Sequence, residues 1–492
     1  MTKFLFFILA IALSPAVFAQ SASDFEKFRQ QQSAQFNSYR DKQQQEFDAF
    51  RKRVNAEYAE FLRRKWEPFN EQEAIKPQKE QSIAPVHYEP NTADQEVEPV
   101  ELKANSIIII PEPQPTPAPI APVKAQPAAY KRVTIAYFGT LITIGFPNDD
   151  DLTLAALDED AVADAWTKLS DARYDITVQT ALEARQKNKL CDWAYMSVLQ
   201  QATEKKYGKT NEATLMQAFL MTQSGYRIRL GMTDTKLYML VASRYDIFNL
   251  RYYQLDNTKY YVVNGDKGLR MYITEARAGK EQSLSLQMTQ LPQLNTEPTP
   301  KRTLTSKRGL TSTVSLNQNL IDFFNTYPQA CFNGDQTTRW AAYANTPLEE
   351  SVKQSLYPPL RRTIQNMSDR DAVDMLLNWV QTAFDYGYDD EVWGGDRAFF
   401  AQETLFYPYS DCEDRSILFS RLVRDLVGLD VVLIYYPNHL ATAVAFNDPV
   451  KGDWLTYKNR TYTVCDPTYI NAGVGRTMPG MNNQQAQVIA LK

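Results

Sequence analysis

Residues 409–428, YSDCEDRSILFSRLVRDLVG, decide how the chain is read. Ile417, Leu418, Phe419, Leu422, Val423, Leu426 and Val427 recur at helical spacing, and Gly428 is a C-terminal stop. Ser410 or Asp411 can cap the start. Cys412 therefore heads an amphipathic helix, where the positive end of the helix dipole favours a thiolate. Val431 to Tyr436 follows as a strand, Pro437-Asn438 as a turn, and His439 opens a second strand, Leu440 to Phe446. A later strand, Thr461 to Cys465, ends at Asp466, which Pro467 holds extended. Helix followed by antiparallel strands is an α+β pattern.

The chain has two histidines in 492 residues, and His87 lies in a proline-rich stretch. Imidazole chemistry in the folded part therefore runs through His439, which stands 27 residues after Cys412 and 27 before Asp466. The order suits a thiolate nucleophile, a general base and an orienting carboxylate. Singly, the three read more readily as a buried thiol, a strand histidine and a turn former. Their combination makes Cys412, His439 and Asp466 the candidate catalytic set. His439 and Asp466 meet at one sheet edge if their strands are antiparallel neighbours, unless Trp454 to Tyr457 forms a strand between them. The backbone N–H of Cys412 is an oxyanion donor at a helix start. Gln402 or Tyr409 is a candidate second donor, and each is equally readable as a loop residue. Asp414 and Arg415 are expected to form a local ion pair. Two cysteines and one histidine without CxxC or HxxxH spacing argue against zinc, and no metal or cofactor is expected.

The segments YSDCEDRS (409–416), PNHLA (437–441) and YTVCDPT (462–468) resemble the transglutaminase-like superfamily, relatives of papain-type cysteine enzymes. The resemblance covers about Ser368 to Ile470. It implies a Cys at the head of a helix, His and Asp on neighbouring strands, and attack by Cys412 on an amide carbonyl. Ser410 stands where that superfamily often has glycine, and Leu440 where an aromatic often follows the histidine. The implied activity is that of an exported cysteine peptidase or amidase acting through a thioester, on a peptide, protein or envelope component. Transfer of the acyl group to an amine, as in protein cross-linking, shares the first half-reaction. A non-enzymatic envelope scaffold is the reading from another class.

The chain also matches itself. Cys191 to Gly208 aligns without gaps with Arg370 to Gly387, Gly225 with Gly428, Leu237 with Leu440, and Asn257 with Asn459. These matches predict tandem transglutaminase-like domains, a degenerate one at 130–275 and a catalytic one at 346–492, joined by a connecting segment, 276–345. In the first copy Lys209, Lys236 and Asn264 fall opposite Cys412, His439 and Asp466. The second copy has 24 additional residues before Cys412, between Gly387 and the nucleophile.

Upstream, residues 1–19 read as a signal peptide with Lys3, an apolar run from Phe4 to Leu13, and Val17-Phe18-Ala19 at the cleavage site. No cysteine follows that site, so a secreted or periplasmic protein without a lipid anchor is expected. Residues 21–74 carry an 11-residue repeat, with Phe25, Phe36, Phe47, Tyr58 and Phe69 in one row and Phe28, Tyr39, Phe50 and Phe61 in another. A period of about 3.67 residues per turn keeps both rows on one face of a nearly straight helix. That face either packs on its own protein or serves self-association or docking. Residues 75–129 are rich in Pro, Glu, Gln and Ala and read as a semi-rigid spacer without a core. A net charge of −5 without a basic stripe argues against nucleic acid. With Cys412 kept free, Cys191, Cys331 and Cys465 allow at most one disulfide.

Overall fold

The computed structural model describes residues 22–80, 83–89, 98–120, 129–263, 265, 270–275 and 279–492. The expected signal segment and Asn264 lie outside the described residues. The chain divides into two compact units, Met1–Ala56 and Glu57–Lys492. No helix among the described residues is long and apolar enough to cross a membrane.

Helix α1 runs Ala22–Leu62. Within the first unit Phe36 and Tyr39 stand 67% and 65% exposed; the side chains of Phe25, Phe28 and Phe47 lie outside the described residues. Within the second unit Tyr58, Phe61 and Leu62 are buried, and Tyr58 stacks on Trp166 with ring centroids 4.4 Å apart. Burying each such side chain contributes roughly 1.5–3 kcal/mol. The repeat predicts a helix through Phe69, but α1 stops at Leu62 and Glu67–Asn70 is a strand. Pro68 explains the difference. It cannot supply a helical N–H, and it pushes Glu67 out of the helical region.

Strands used below, in chain order, are β1 Glu67–Asn70, β2 Ser106–Ile109, β3 Ile228–Met232, β4 Leu237–Ser243, β5 Tyr252–Leu255, β6 Thr258–Val262, β7 Arg270–Ile273, β8 Asp430–Tyr436, β9 His439–Ala445, β10 Trp454–Tyr457, β11 Arg460–Cys465 and β12 Gln487–Ala490. Two six-stranded sheets result, ordered β1-β7-β3-β4-β6-β5 and β2-β12-β8-β9-β11-β10. Apart from β1 and β2, the strands of each follow a helix pair: α2 Asp192–Tyr207 and α3 Asn211–Gln223 for the first, α4 Asp369–Thr382 and α5 Cys412–Leu426 for the second.

The two sheets are built alike down to register. Met232 pairs with Leu237 as Tyr435 pairs with Leu440. Val241 opposes Tyr261 as Val444 opposes Thr463, and Leu255 opposes Thr258 as Tyr457 opposes Arg460. These are the shifts that align Leu237 with Leu440 and Asn257 with Asn459 in the sequence. The sheets differ at their far edge, where β1 pairs antiparallel with β7 but β2 pairs parallel with β12.

That edge corrects the spacer reading. The run Ile107–Ile110 is β-branched and suits a strand, and Ser106–Ile109 completes the second sheet. Leu102 and Ile110 beside it are buried. Residues 111–120 continue along the body, with Pro111 O accepting from Gln287 Nε2 at 3.3 Å and Ile120 N–H donating to Gln223 O at 3.1 Å. The connecting segment is likewise structured, with helices Gln318–Thr326 and Thr338–Asn345. All four cysteines are free thiols.

Leu62→Ala should destabilise the Glu57–Lys492 unit by about 2–5 kcal/mol, since it leaves a cavity under the last turn of α1. Urea unfolding followed by tryptophan fluorescence checks it, with Phe36→Ala as an exposed control expected to shift stability by less than ~0.5 kcal/mol.

Candidate active site

Helix α5 begins at Cys412, with Asp411 as its N-cap in extended backbone. The Asp414 carboxylate accepts from the Asp411 N–H at 3.3 Å and from the Phe399 N–H at 2.9 Å. Ser416 Oγ donates to Leu440 O at 2.8 Å, seating the helix on β9 one residue from His439. Arg415 does not pair with Asp414. Its guanidinium donates to Gln381 O at 3.2 Å and Phe384 O at 2.9 Å, and it lies over the Tyr386 ring. Asp414 already holds two backbone N–H groups, and the guanidinium goes instead to two carbonyls at the end of α4 and just past it.

His439 opens β9 after Pro437-Asn438, where Asn438 takes φ +65°. A proline followed by a residue of positive φ is the pattern of a type II turn. β9 pairs directly and antiparallel with β11, while β10 lies outside them. Asp466, just past β11, therefore comes level with the start of β9. His439 Nε2 lies 2.8 Å from Asp466 Oδ2, both side chains buried. The other carboxylate oxygen accepts from the N–H groups of Thr468 at 2.8 Å and Tyr469 at 3.2 Å. A carboxylate held this way accepts from the imidazole, so Nε2 donates and Nδ1 is the basic nitrogen. Nδ1 is buried and has no hydrogen-bond partner.

Cys412 is buried, with the N–H of Leu440, the residue after His439, directed at its sulfur. Its thiol, however, donates to Glu413 Oε2 at 3.3 Å rather than to His439. Burial raises the thiol well above its ordinary value, and the Glu413 and Asp411 carboxyl groups add to the rise. This reverses the expectation from the helix dipole. Three acidic side chains, Asp411, Glu413 and Asp414, crowd the same helix end, and burial outweighs a half-charge at the terminus.

Residues 388–411, ahead of Cys412, supply more of this acidic surrounding. Burial first, and Glu413 second, push Asp389 up to about 8. Asp396 is raised mainly by burial and pairs with Arg339 at 2.7 Å. Glu403 is pushed up to about 7 by burial against the pull of Arg397, 2.7 Å away. Two overlapping groups, Asp411-Cys412-Glu413 and Asp389-Asp396-Glu413, are close enough to share a cation.

Of the candidate oxyanion donors, Gln402 is buried on Glu349, accepting from its backbone N–H at 3.0 Å and donating to its carboxylate at 3.3 Å. Tyr409 is 44% exposed and pairs with Asp385. Neither joins the cluster. The sequence reading missed Gln381, a buried glutamine of α4. Its Nε2 donates to the carbonyls of Asp466 at 3.0 Å, Tyr469 at 2.8 Å and Ala472 at 3.0 Å, and its Oε1 accepts from Asn471 N–H at 3.2 Å. It fixes the loop that carries Asp466. At the shift aligning Asp192 with Asp371 the matching residue is Ala202, the one visible signal.

Of the residues that the self-match sets opposite the triad, Lys209 stands two residues before α3 and Lys236 immediately before β4. Both line an open pocket of about 890 Å³ with the first turn of α3. No family model matches the chain, and no curated protein or solved structure matches it.

The raised Asp389 gives a pH test. Its folded value exceeds its ordinary 3.8, so its contribution to stability is complete below about pH 4 and is lost as pH rises through about 8. Thermal unfolding at pH 5 and pH 9 should show a lower midpoint at pH 9. Asp389→Asn, which cannot ionise, should shrink that difference; an unchanged difference would contradict the burial described.

Proposed function

We propose that the chain is a cysteine hydrolase of the transglutaminase-like kind, cleaving an amide bond in a peptide or protein through a thioester at Cys412. The observation that carries this reading is the buried His439 Nε2–Asp466 Oδ2 bond of 2.8 Å, which leaves Nδ1 unpartnered one residue from Leu440, whose N–H is directed at the helix-head Cys412. A purely structural histidine at this depth would be expected to satisfy both nitrogens. The twin sheets support a tandem arrangement in which only the second copy carries the chemistry.

In this reading the thiol turns from Glu413 to His439 and gives its proton to Nδ1 as sulfur attacks the carbonyl carbon. The imidazolium is stabilised by Asp466, and the helix-head N–H of Cys412 faces the developing oxyanion. Nδ1–H then protonates the leaving nitrogen, the C–N bond breaks, and the acyl group remains on sulfur. Water gives a proton to Nδ1, adds to the thioester and releases the acid, restoring the thiol. An amine in place of water would complete an acyl transfer instead. The signal segment supports an exported enzyme.

Cys412→Ala and His439→Ala should each lower turnover of an unstructured peptide pool by about 10³-fold or more. Asp466→Asn should lose roughly ten- to a hundredfold less, since it removes charge but keeps shape. Peptide mass spectrometry measures all three beside circular dichroism for fold. Full turnover in a folded Cys412→Ala variant would end the hydrolase reading.

A further inference from the structure

Residues 76–80 and 83–89, within the stretch read as a spacer, are tied down at three places, each beside one member of the candidate triad. Beside Asp466, Ile470 N–H donates to Val86 O and Tyr88 N–H to Ile470 O, both at 2.8 Å. This is a parallel strand bridge centred on His87. Tyr469, whose N–H sits on Asp466, meets the Tyr88 ring edge-on. Beside His439, Tyr435 OH donates to the Glu80 carboxylate at 3.1 and 3.2 Å, and the Asn438 N–H faces the same group. Beside Cys412, Tyr386 OH donates to Ile83 O at 3.0 Å, and Tyr386 itself pairs with Ser410. Lys79 pairs with Asp390 at 2.9 Å.

A tether needs none of these contacts. Ile83, Val86 and Tyr88 also bury apolar surface against Tyr469, Ala472 and Met478. Cys412, His439 and Asp466 are 2%, 1% and 2% exposed, too little for any substrate to reach them. The thiol meanwhile rests on Glu413, which is the geometry of an idle site.

We infer that residues 76–80 and 83–89 are a resident occupant of the substrate groove, holding the enzyme closed until an extended peptide with apolar side chains displaces them and pairs with Ile470. This rests on the hydrolase reading for its consequence, but not for its geometry. Strand addition of this kind draws affinity from main-chain hydrogen bonds and selectivity from alternate side-chain pockets. The bound segment acts as a competing ligand of high local concentration.

The test measures the rate at which iodoacetamide modifies Cys412 in the full mature chain, read at the peptide level to separate it from the other cysteines. A loosened variant, Ile83→Ser with Tyr88→Ser, should react about tenfold faster or more, because the opening equilibrium shifts. A locked variant, His87→Cys with Ile470→Cys, should react about tenfold slower when oxidised than when reduced. Equal rates in wild type, loosened and oxidised locked chains would overturn the inference, and the locked chain decides it if the loosened one fails to fold. A peptidyl chloromethyl ketone, with and without His439→Ala, separates this from the hydrolase reading. Faster alkylation on loosening without any His439-dependent ketone reaction would keep the occupant and remove the enzyme.

Discussion

A buried imidazole held by a buried carboxylate is the constraint around which the second sheet is organised. The His439–Asp466 bond of 2.8 Å exists because β9 and β11 are direct antiparallel neighbours and because Asp466 lies one residue past the end of its strand. A one-residue slip of that register would turn Asp466 to the opposite face. Three further features guard the register. The Asp466 carboxylate is saturated by two N–H groups of its own loop, Gln381 holds that loop by three carbonyls, and Ser416 clamps α5 to Leu440. Removing any of these leaves a buried polar group unpaired, which is costly at this depth.

The same site has an opposing tendency. Its helix head gathers Asp411, Glu413 and Asp414, and residues 388–411 add Asp389 and Asp396; burial resists the ionisation of Glu413, Asp414, Asp389 and Asp396. A thiol in such surroundings stays protonated and hydrogen-bonded to Glu413. Under the proposed hydrolase reading, His439 would be the base and Cys412 a nucleophile in its protonated form. Ile83, Val86 and Tyr88 pack on Tyr469, Ala472 and Met478, on the loop that follows Asp466.

Much of the fold was legible because it rests on local pattern. The apolar stripe from Ile417 to Val427 marked α5, the Pro437-Asn438 turn marked the hairpin, and the shift aligning Leu237 with Leu440 is the one that the strand registers obey. Residue scarcity singled out His439. What stayed hidden depends on contacts far apart in sequence. Gln381 looks like one more polar residue of an amphipathic helix until the 466–472 loop folds onto it. The spacer was judged by its prolines, although its one β-branched run, Ile107–Ile110, supplies most of an edge strand. The thiol was misread for another reason. The acids at the helix head were visible, but the degree of their burial was not, and burial decides the sign.

Because the chain has only two histidines, ¹⁵N-histidine NMR of the mature protein tests the central claim most directly, with His87→Gln to assign the spectrum. The account predicts that His439 at neutral pH carries its proton on Nε2, hydrogen-bonded to Asp466, and that alkylating Cys412 perturbs the bare Nδ1. A proton on Nδ1, or an imidazole indifferent to alkylation of Cys412, would contradict it.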